Sequence, residues 1–280
     1  EIRFAPGSLS RRRGEVDRAI AIHTRLRDAG TPTVREKAAF ALALDYTSAG
    51  LMDRAESLFQ ELAASREHRR EALDHLVRIY EQQGDWANAL KVFHELPPAV
   101  QQERRRVAAH YLCELAEHAL VQGDAERARS LVKQARTHDA DLPRAGTLVA
   151  RMAEAAGDAP GAFALYLDAV ELAPSLALEV IPRLLELARQ IGQPELTQEL
   201  TARLNRTGRI SARQVEWLLA TALQPASVEG LLLNRIGDSG GRYQCDDCGL
   251  YSVGWYWRCP KCRAWDSMQP AVFKWAERQS

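Results

Sequence analysis

Glycine returns along this chain at a nearly constant interval. Gly14, Gly50, Gly84, Gly123, Gly157 and Gly192 are separated by 36, 34, 39, 34 and 35 positions. Five residues after each glycine stands a small side chain: Ala19, Ala55, Ala89, Ala128, Ala162 and then Thr197. Nine after it comes a larger one, in His23, Phe59, Phe93, Val132 and Tyr166. Twelve after it comes Leu26, Leu62, Leu96, Ala135, Ala169 or Leu204. Such a pulse describes one unit repeated: helix, glycine turn, helix. The small residue lets paired helices approach closely, and the larger one fills the gap toward the next unit. A lone pair of amphipathic helices cannot bury its apolar face, so the units must stack. Glu15, Asp85, Asp124 and Asp158 directly follow their glycines, where a carboxylate suits an N-cap or first turn.

The pattern predicts helix pairs near 33–48 with 52–64, 69–82 with 86–96, 102–121 with 125–137, 143–156 with 160–172, and 176–190 with 194–206. The first unit keeps only its second helix, near 15–28, because Pro6-Gly7 breaks what precedes it. More repeats are expected upstream of a chain that begins at Glu1 without methionine. The 39-residue step predicts a longer first helix in the fourth unit. Period and pattern resemble tetratricopeptide repeats over roughly residues 8 to 206, with Pro174 in the place of that family's unit-ending proline. Helices near 211–223 (Val215, Leu218, Leu219, Leu223) and 226–236 read as a degenerate repeat or cap. Residues 237–241 read as a linker. Gly237-Asp-Ser-Gly-Gly241 matches a serine-protease nucleophile signature, but stacked helices supply no scaffold for a triad.

Four of the five cysteines form Cys245-Asp-Asp-Cys248 and Cys259-Pro-Lys-Cys262. Two such turns facing each other make a tetrahedral set of four sulfurs, which suits zinc, or iron in a rubredoxin-like setting. Gly249 stands where a knuckle needs a positive φ, and Pro260 fixes φ at the start of the second knuckle. Two disulfides fit poorly, because C-x-x-C neighbours make strained bridges and the rest of the chain has no extracellular character. Cys113 lies in an apolar helical stretch and reads as core. The module over 242–280 is rich in rings: Tyr243, Tyr251, Trp255, Tyr256, Trp257 and Trp265, in a chain that is 7% aromatic. So small a module cannot bury them within itself, so most are expected to pack on the last repeat helices.

The remaining features exclude more than they assign. Lysine plus arginine equals aspartate plus glutamate at 37 each, and the metal module carries a net charge of only +2, which argues against a nucleic-acid binder. No stretch approaches the length of a membrane span, and no signal peptide is present. No nucleotide-binding glycine loop and no H-E-x-x-H occurs. The seven histidines lie on different helices and read as packing or surface residues. The arginine runs Arg11-Arg12-Arg13 and Arg104-Arg105-Arg106 read as solvated helix faces rather than docking patches.

A repeat array closed by a four-cysteine knuckle pair resembles the lipopolysaccharide assembly protein B (LapB, or YciM) family. Arg13-Gly-Glu-Val-Asp-Arg-Ala-Ile20 and Ala49-Gly-Leu-Met-Asp-Arg-Ala-Glu56 resemble its repeat turns, and Tyr243-Gln-Cys-Asp-Asp-Cys-Gly249 and Trp257-Arg-Cys-Pro-Lys-Cys-Arg-Ala-Trp265 its rubredoxin-type end. The fold expected is all-α: a tetratricopeptide-repeat superhelical solenoid of about six units over 1–206, with a small rubredoxin-like zinc-knuckle module. Relative to the family, the N-terminal membrane helix and first repeats are missing and the region from about 206 to 242 is compressed. The resemblance implies a non-enzymatic adaptor on the cytoplasmic side of the inner membrane, anchored by a single N-terminal span. It would bring the deacetylase LpxC to the membrane protease FtsH, opposed by the membrane regulator PbgA (YejM), and it leaves room for a homodimer. The metal would be zinc, with iron as the alternative, held by Cys245, Cys248, Cys259 and Cys262. Two other readings stand beside it: a rubredoxin-like electron carrier, and a zinc-ribbon nucleic-acid binder.

Overall fold

The computed structural model describes residues 4–192, 196–207, 215–216 and 242–271. Two compact units divide the chain, Glu1–Leu115 and Ala116–Ser280. The first holds helices α1 (Ala5–Arg12), α2 (Val16–Ala29), α3 (Pro32–Ser48), α4 (Met52–Ala63), α5 (Arg69–Gln83), α6 (Trp86–Glu95) and α7 (Pro98–Glu103). Helix α8 (Arg105–Val121) spans the boundary. In the second unit come α9 (Ala125–His138), α10 (Pro143–Ala155), α11 (Ala159–Leu172), a 3₁₀ turn at Pro174–Leu176, α12 (Ala177–Ile191) and α13 (Leu196–Thr207). Three short strands follow: β1 (Tyr243–Cys245), β2 (Tyr251–Ser252) and β3 (Met268–Pro270). Within the first unit each of α1 to α5 packs on the helix after it, and in the second α10 packs on α11 and α11 on α12.

The glycine pulse has a backbone cause. Gly14, Gly50, Gly84, Gly123, Gly157 and Gly192 all hold a positive φ, between 71° and 81°. This left-handed residue lets the next amide fold back onto the carbonyl four residues before the glycine. The bond recurs at 2.9 Å from Glu15 to Ser10, Leu51 to Tyr46, Asp85 to Tyr80, Asp124 to Ala119 and Asp158 to Ala153. Where the residue after the glycine is aspartate, its carboxylate caps the next helix: Asp85, Asp124 and Asp158 accept from the amides of Asn88, Arg127 and Gly161. The alanines at glycine plus five, from Ala19 to Ala162, are wholly buried. His23, Phe59, Phe93, Val132 and Tyr166 at plus nine are buried beside them.

Three expectations are corrected. Pro6-Gly7 does not break the first unit. Pro6 occupies the first turn of α1, where its missing N–H costs nothing, and the helix runs on to Arg12. Gly7 is buried because α1 lies against His23: a Cβ there would sit 2.4 Å from His23 Nε2. The long step before Gly123 is not a longer helix either. The chain forms the extra helix α7, breaks at Arg104 and starts again as α8. Nor are the arginine runs uniformly solvated. Arg11 and Arg104, the first of each run, reach Asp45 and Asp74, each at 2.7 Å. The helices expected near 211–223 and 226–236, the linker 237–241 and the end of the module beyond 271 lie outside the described residues.

Candidate metal centre and its seat on the repeats

The two C-x-x-C turns fold alike. The carbonyl of Cys245 accepts from Gly249 N at 3.0 Å, while its own amide donates to Leu250 at 2.9 Å. In the second turn the Cys259 carbonyl accepts from Arg263 N at 2.9 Å, and its amide donates to Ala264 at 2.8 Å. Both turns therefore need a left-handed residue just after the second cysteine, and Gly249 (φ 70°) and Arg263 (φ 66°) supply it. Glycine takes that conformation freely; arginine is strained by it. The first turn follows β1, the central strand of an antiparallel sheet ordered β2-β1-β3, with Tyr243 opposite both Ser252 and Pro270.

This folding brings the four thiols together. One ligand atom from each of Cys245, Cys248, Cys259 and Cys262 lies within 4.8 Å of all the others. The sulfur of Cys245 is 3.6 Å from that of Cys262, and Cys248 is 3.7 Å from Cys259. A tetrahedral zinc–thiolate site, with bonds of about 2.3 Å, separates its sulfurs by about 3.8 Å. The set thus fits one tetrahedral ion and can hold zinc or iron. The electrostatics agree. Burial pushes the Cys245 thiol up, but Ser267 and the turn amides outweigh it and bring it down to about 6. Cys262 accepts an amide from Ala264 that favours its thiolate, yet burial and its three sulfur neighbours push it up to about 12. Four thiolates this close cannot coexist without a cation between them.

The module is seated on the helices of its own unit. Tyr243 is fully buried and donates its hydroxyl to Glu179 of α12 at 2.5 Å. Cys245, Cys259 and Met268 join one hydrophobic cluster with Ile181, Leu184 and Leu187 of α12, and Trp255 and Trp257 pack against it. Tyr243, Trp255 and Trp257 meet edge to face, at 5.4 and 5.8 Å. Arg144 of α10 is buried between rings and acid. Its guanidinium lies 5.7 Å from the Trp257 ring and 6.0 Å from the Trp265 ring, and it reaches Glu117 at 3.0 Å. The expectation that the rings need the repeat helices is met in these contacts. Arg144 and Glu179 are what sequence reasoning missed. An arginine and a glutamate on amphipathic helices look like ordinary surface charges, and only the 3D fold sets them under the module.

Cys113 and His23 fall as read from sequence, but the histidines do not all lie on different helices: His110 and His118 share α8, and His68 stands in the turn before α5. Cys113 is buried in α8, and His23 is buried with its Nδ1 2.5 Å from Asp45. A cleft of about 400 Å³ opens between α4, α5 and α6, where Tyr80 donates to Glu56 at 2.7 Å above an apolar floor. Among the described residues no helix is long and apolar enough to cross a membrane.

Fold and site together define a tetratricopeptide-repeat protein that carries a four-cysteine, rubredoxin-type metal-binding module. Residues 243–270 match the family described as the rubredoxin metal binding domain, and residues 72–104 match the tetratricopeptide repeat. Over 96% of its length the chain is 29% identical to Lipopolysaccharide assembly protein B of Escherichia coli strain K12, covering 80% of that protein. The corresponding protein of Haemophilus influenzae strain KW20 is 27% identical, with 96% of this chain and 79% of that one aligned. The resemblance carried by the cysteine and glycine motifs is thereby borne out. Among solved structures, the thermophilic tetratricopeptide protein TTC0263 of Thermus thermophilus is 21% identical with a TM-score of 0.31, covering 71% of this chain and 96% of that one. Pseudomonas aeruginosa pilF is 14% identical with a TM-score of 0.39, covering 84% and 96%.

Proposed function

We propose that this protein is a non-enzymatic adaptor that limits lipopolysaccharide synthesis at the cytoplasmic face of the inner membrane. In this reading it presents the deacetylase LpxC to the protease FtsH for degradation, and the regulator PbgA (YejM) opposes it. The observation that carries the reading is the near full-length similarity to proteins named for lipopolysaccharide assembly. Two features of the chain support it. Helical repeats present side chains in register for protein recognition. A four-thiol set filled by one ion leaves no open coordination position for chemistry, which favours a structural role over a catalytic one. Cys245, Cys248, Cys259 and Cys262 would hold that ion, zinc being the metal proposed. It would staple a module too small to fold on its own core.

The test is LpxC turnover in cells whose own copy has been replaced by this protein. LpxC lifetime should shorten when the protein is present, and both LpxC and FtsH should co-purify with it. An LpxC lifetime indifferent to its removal would overturn the adaptor reading. Metal analysis separates zinc from iron: a colourless protein with one zinc at the four cysteines is expected, whereas a red, reversibly bleached one would point to electron transfer.

A further inference from the structure

A second group of ligand-type side chains assembles in the first unit. Glu36 projects from α3, and Glu67 and His68 come from the turn that leads into α5. One donor atom from each lies within 4.8 Å of the other two. Two atoms of this cluster are shut off from solvent: Glu36 Oε1 and His68 Nε2 are buried and have no hydrogen-bond partner. A buried carboxylate oxygen and a buried ring nitrogen, each left without a partner, are costly. The cluster does not close on itself through a hydrogen bond, yet its members stand at the spacing of atoms that share one cation, each about 2.0–2.2 Å from the ion.

The imidazole is held for that task. Phe40, one helical turn after Glu36, stacks on the His68 ring with centroids 5.0 Å apart and planes at 17°. The same face of α3 therefore sets both Glu36 and His68. The His68 amide donates to Ser65 Oγ at 3.0 Å, which fixes the turn. The other ring nitrogen, Nδ1, lies 3.5 Å from Glu71 Oε2. A carboxylate that accepts a hydrogen bond from Nδ1–H leaves the Nε2 lone pair free to bind, and this arrangement orients metal-bound histidines generally. A competitor is present: Lys37 Nζ is 3.7 Å from Glu67 Oε1, both side chains about half exposed. So loose a surface pair is weak and gives way to a divalent ion.

We propose that Glu36, Glu67 and His68 form a second metal site, for a divalent ion of the zinc class bound by one imidazole and two carboxylates. The ion bridges α3 to the turn before α5 and braces the first unit. One nitrogen and two oxygens select against calcium and magnesium, which take oxygen alone, and against the soft ions that prefer sulfur.

The experiment is a calorimetric titration of Zn²⁺ into full-length protein whose cysteine module already holds one equivalent. One further equivalent should bind. Its affinity should fall at least tenfold, a loss of about 1.4 kcal/mol or more, in Glu36→Gln and in His68→Gln. Circular dichroism of each variant verifies that it is folded. A measurement on unmutated protein stands apart from the variants: added zinc should move the His68 ring ¹⁵N resonances and leave those of His118 in place. The proposal is overturned if no second equivalent binds, if binding persists unchanged in both variants, or if the His68 resonances do not respond.

Discussion

Arg144 lies with its guanidinium carbon 5.7 Å from the ring centroid of Trp257. The same guanidinium holds Glu117 and approaches Trp265, so one buried side chain of α10 ties a carboxylate of α8 to two indoles of the metal module. A desolvated cation over aromatic faces contributes on the order of 2 kcal/mol, and losing it also strands a partly buried carboxylate. Arg144→Ala should therefore destabilise the second unit by about 2–4 kcal/mol. Arg144→Lys keeps the charge but loses the flat fork, so it should fall between. Urea unfolding followed by tryptophan fluorescence measures both. An Arg144→Ala change within about 0.5 kcal/mol of the parent would remove Arg144 from this role.

Gly7 and His23 make the second case. A methyl at residue 7 meets the His23 ring, which is buried and held at Nδ1 by Asp45, itself held by Arg11. The ring has nowhere to swing. Gly7→Ala should cost about 1–3 kcal/mol, the usual penalty for overpacking, and should detach α1 first. Hydrogen exchange should show protection lost across residues 8–12 with α3 unaffected. Protection retained across α1 would show that the ring yields after all.

These two contacts mark the limit of what sequence discloses. The repeat is legible because it is local: a glycine in the left-handed region, a carbonyl four residues back and a cap one residue on are fixed by neighbours in the chain. The thiols are legible because each C-x-x-C turn is also local. Pro6 misleads, since proline both ends helices and begins them, and only the residues packed around it decide. Arg104 gives no sign that the chain breaks there. Glu36 and His68 lie 32 positions apart, on elements brought together only by packing, so no spacing rule could join them. Arg263 resembles any exposed arginine until the symmetry of the two turns puts it opposite Gly249.

That symmetry gives a third prediction. Arg263 holds a left-handed conformation that a β-carbon disfavours by about 1–2 kcal/mol. Arg263→Gly should stabilise the metal module by about 1 kcal/mol, less the cost of a more flexible unfolded chain. Gly249→Ala should destabilise it by about 1 kcal/mol, although the nearest atom to the added carbon, on Gln244, is 3.9 Å away and leaves room. Opposite signs in a competition against a zinc indicator would confirm that backbone conformation, not space, decides. Equal signs would reject the parallel between the turns.

Tyr166 carries the pH dependence. Burial, and then its hydrogen bond to Glu154 at 2.9 Å, raise its pKa well above the usual tyrosine value. The folded protein therefore keeps this proton at pH values where the unfolded chain has lost it. Stability from this group is intact below pH about 10 and falls above it, by up to about 1.4 kcal/mol per pH unit. Tyr166→Phe should be less stable at pH 7, by about 1 kcal/mol for the lost bond, yet should lose less stability between neutral and alkaline pH. Parallel curves for the two proteins would contradict this.

Removing the metal tests the seat of the module. Without an ion the four thiols have no shared partner, and structural zinc sites of this kind supply about 10–16 kcal/mol of binding free energy. Cys245 and Cys259 belong to the cluster that covers Ile181, Leu184 and Leu187, so loss of the module uncovers apolar surface on α12. A strong chelator should raise the binding of a hydrophobic dye and lower the melting temperature of the second unit, while far-UV dichroism keeps most of its helical signal. Cys259→Ser, at a buried ligand, should act more severely than Cys262→Ser, whose side chain reaches solvent. If chelation instead collapses the helical signal throughout, the module is the keystone of the repeats rather than their guest. If it changes neither dye binding nor melting, the seat on α12 holds without the ion, and the cysteine site has no structural role there.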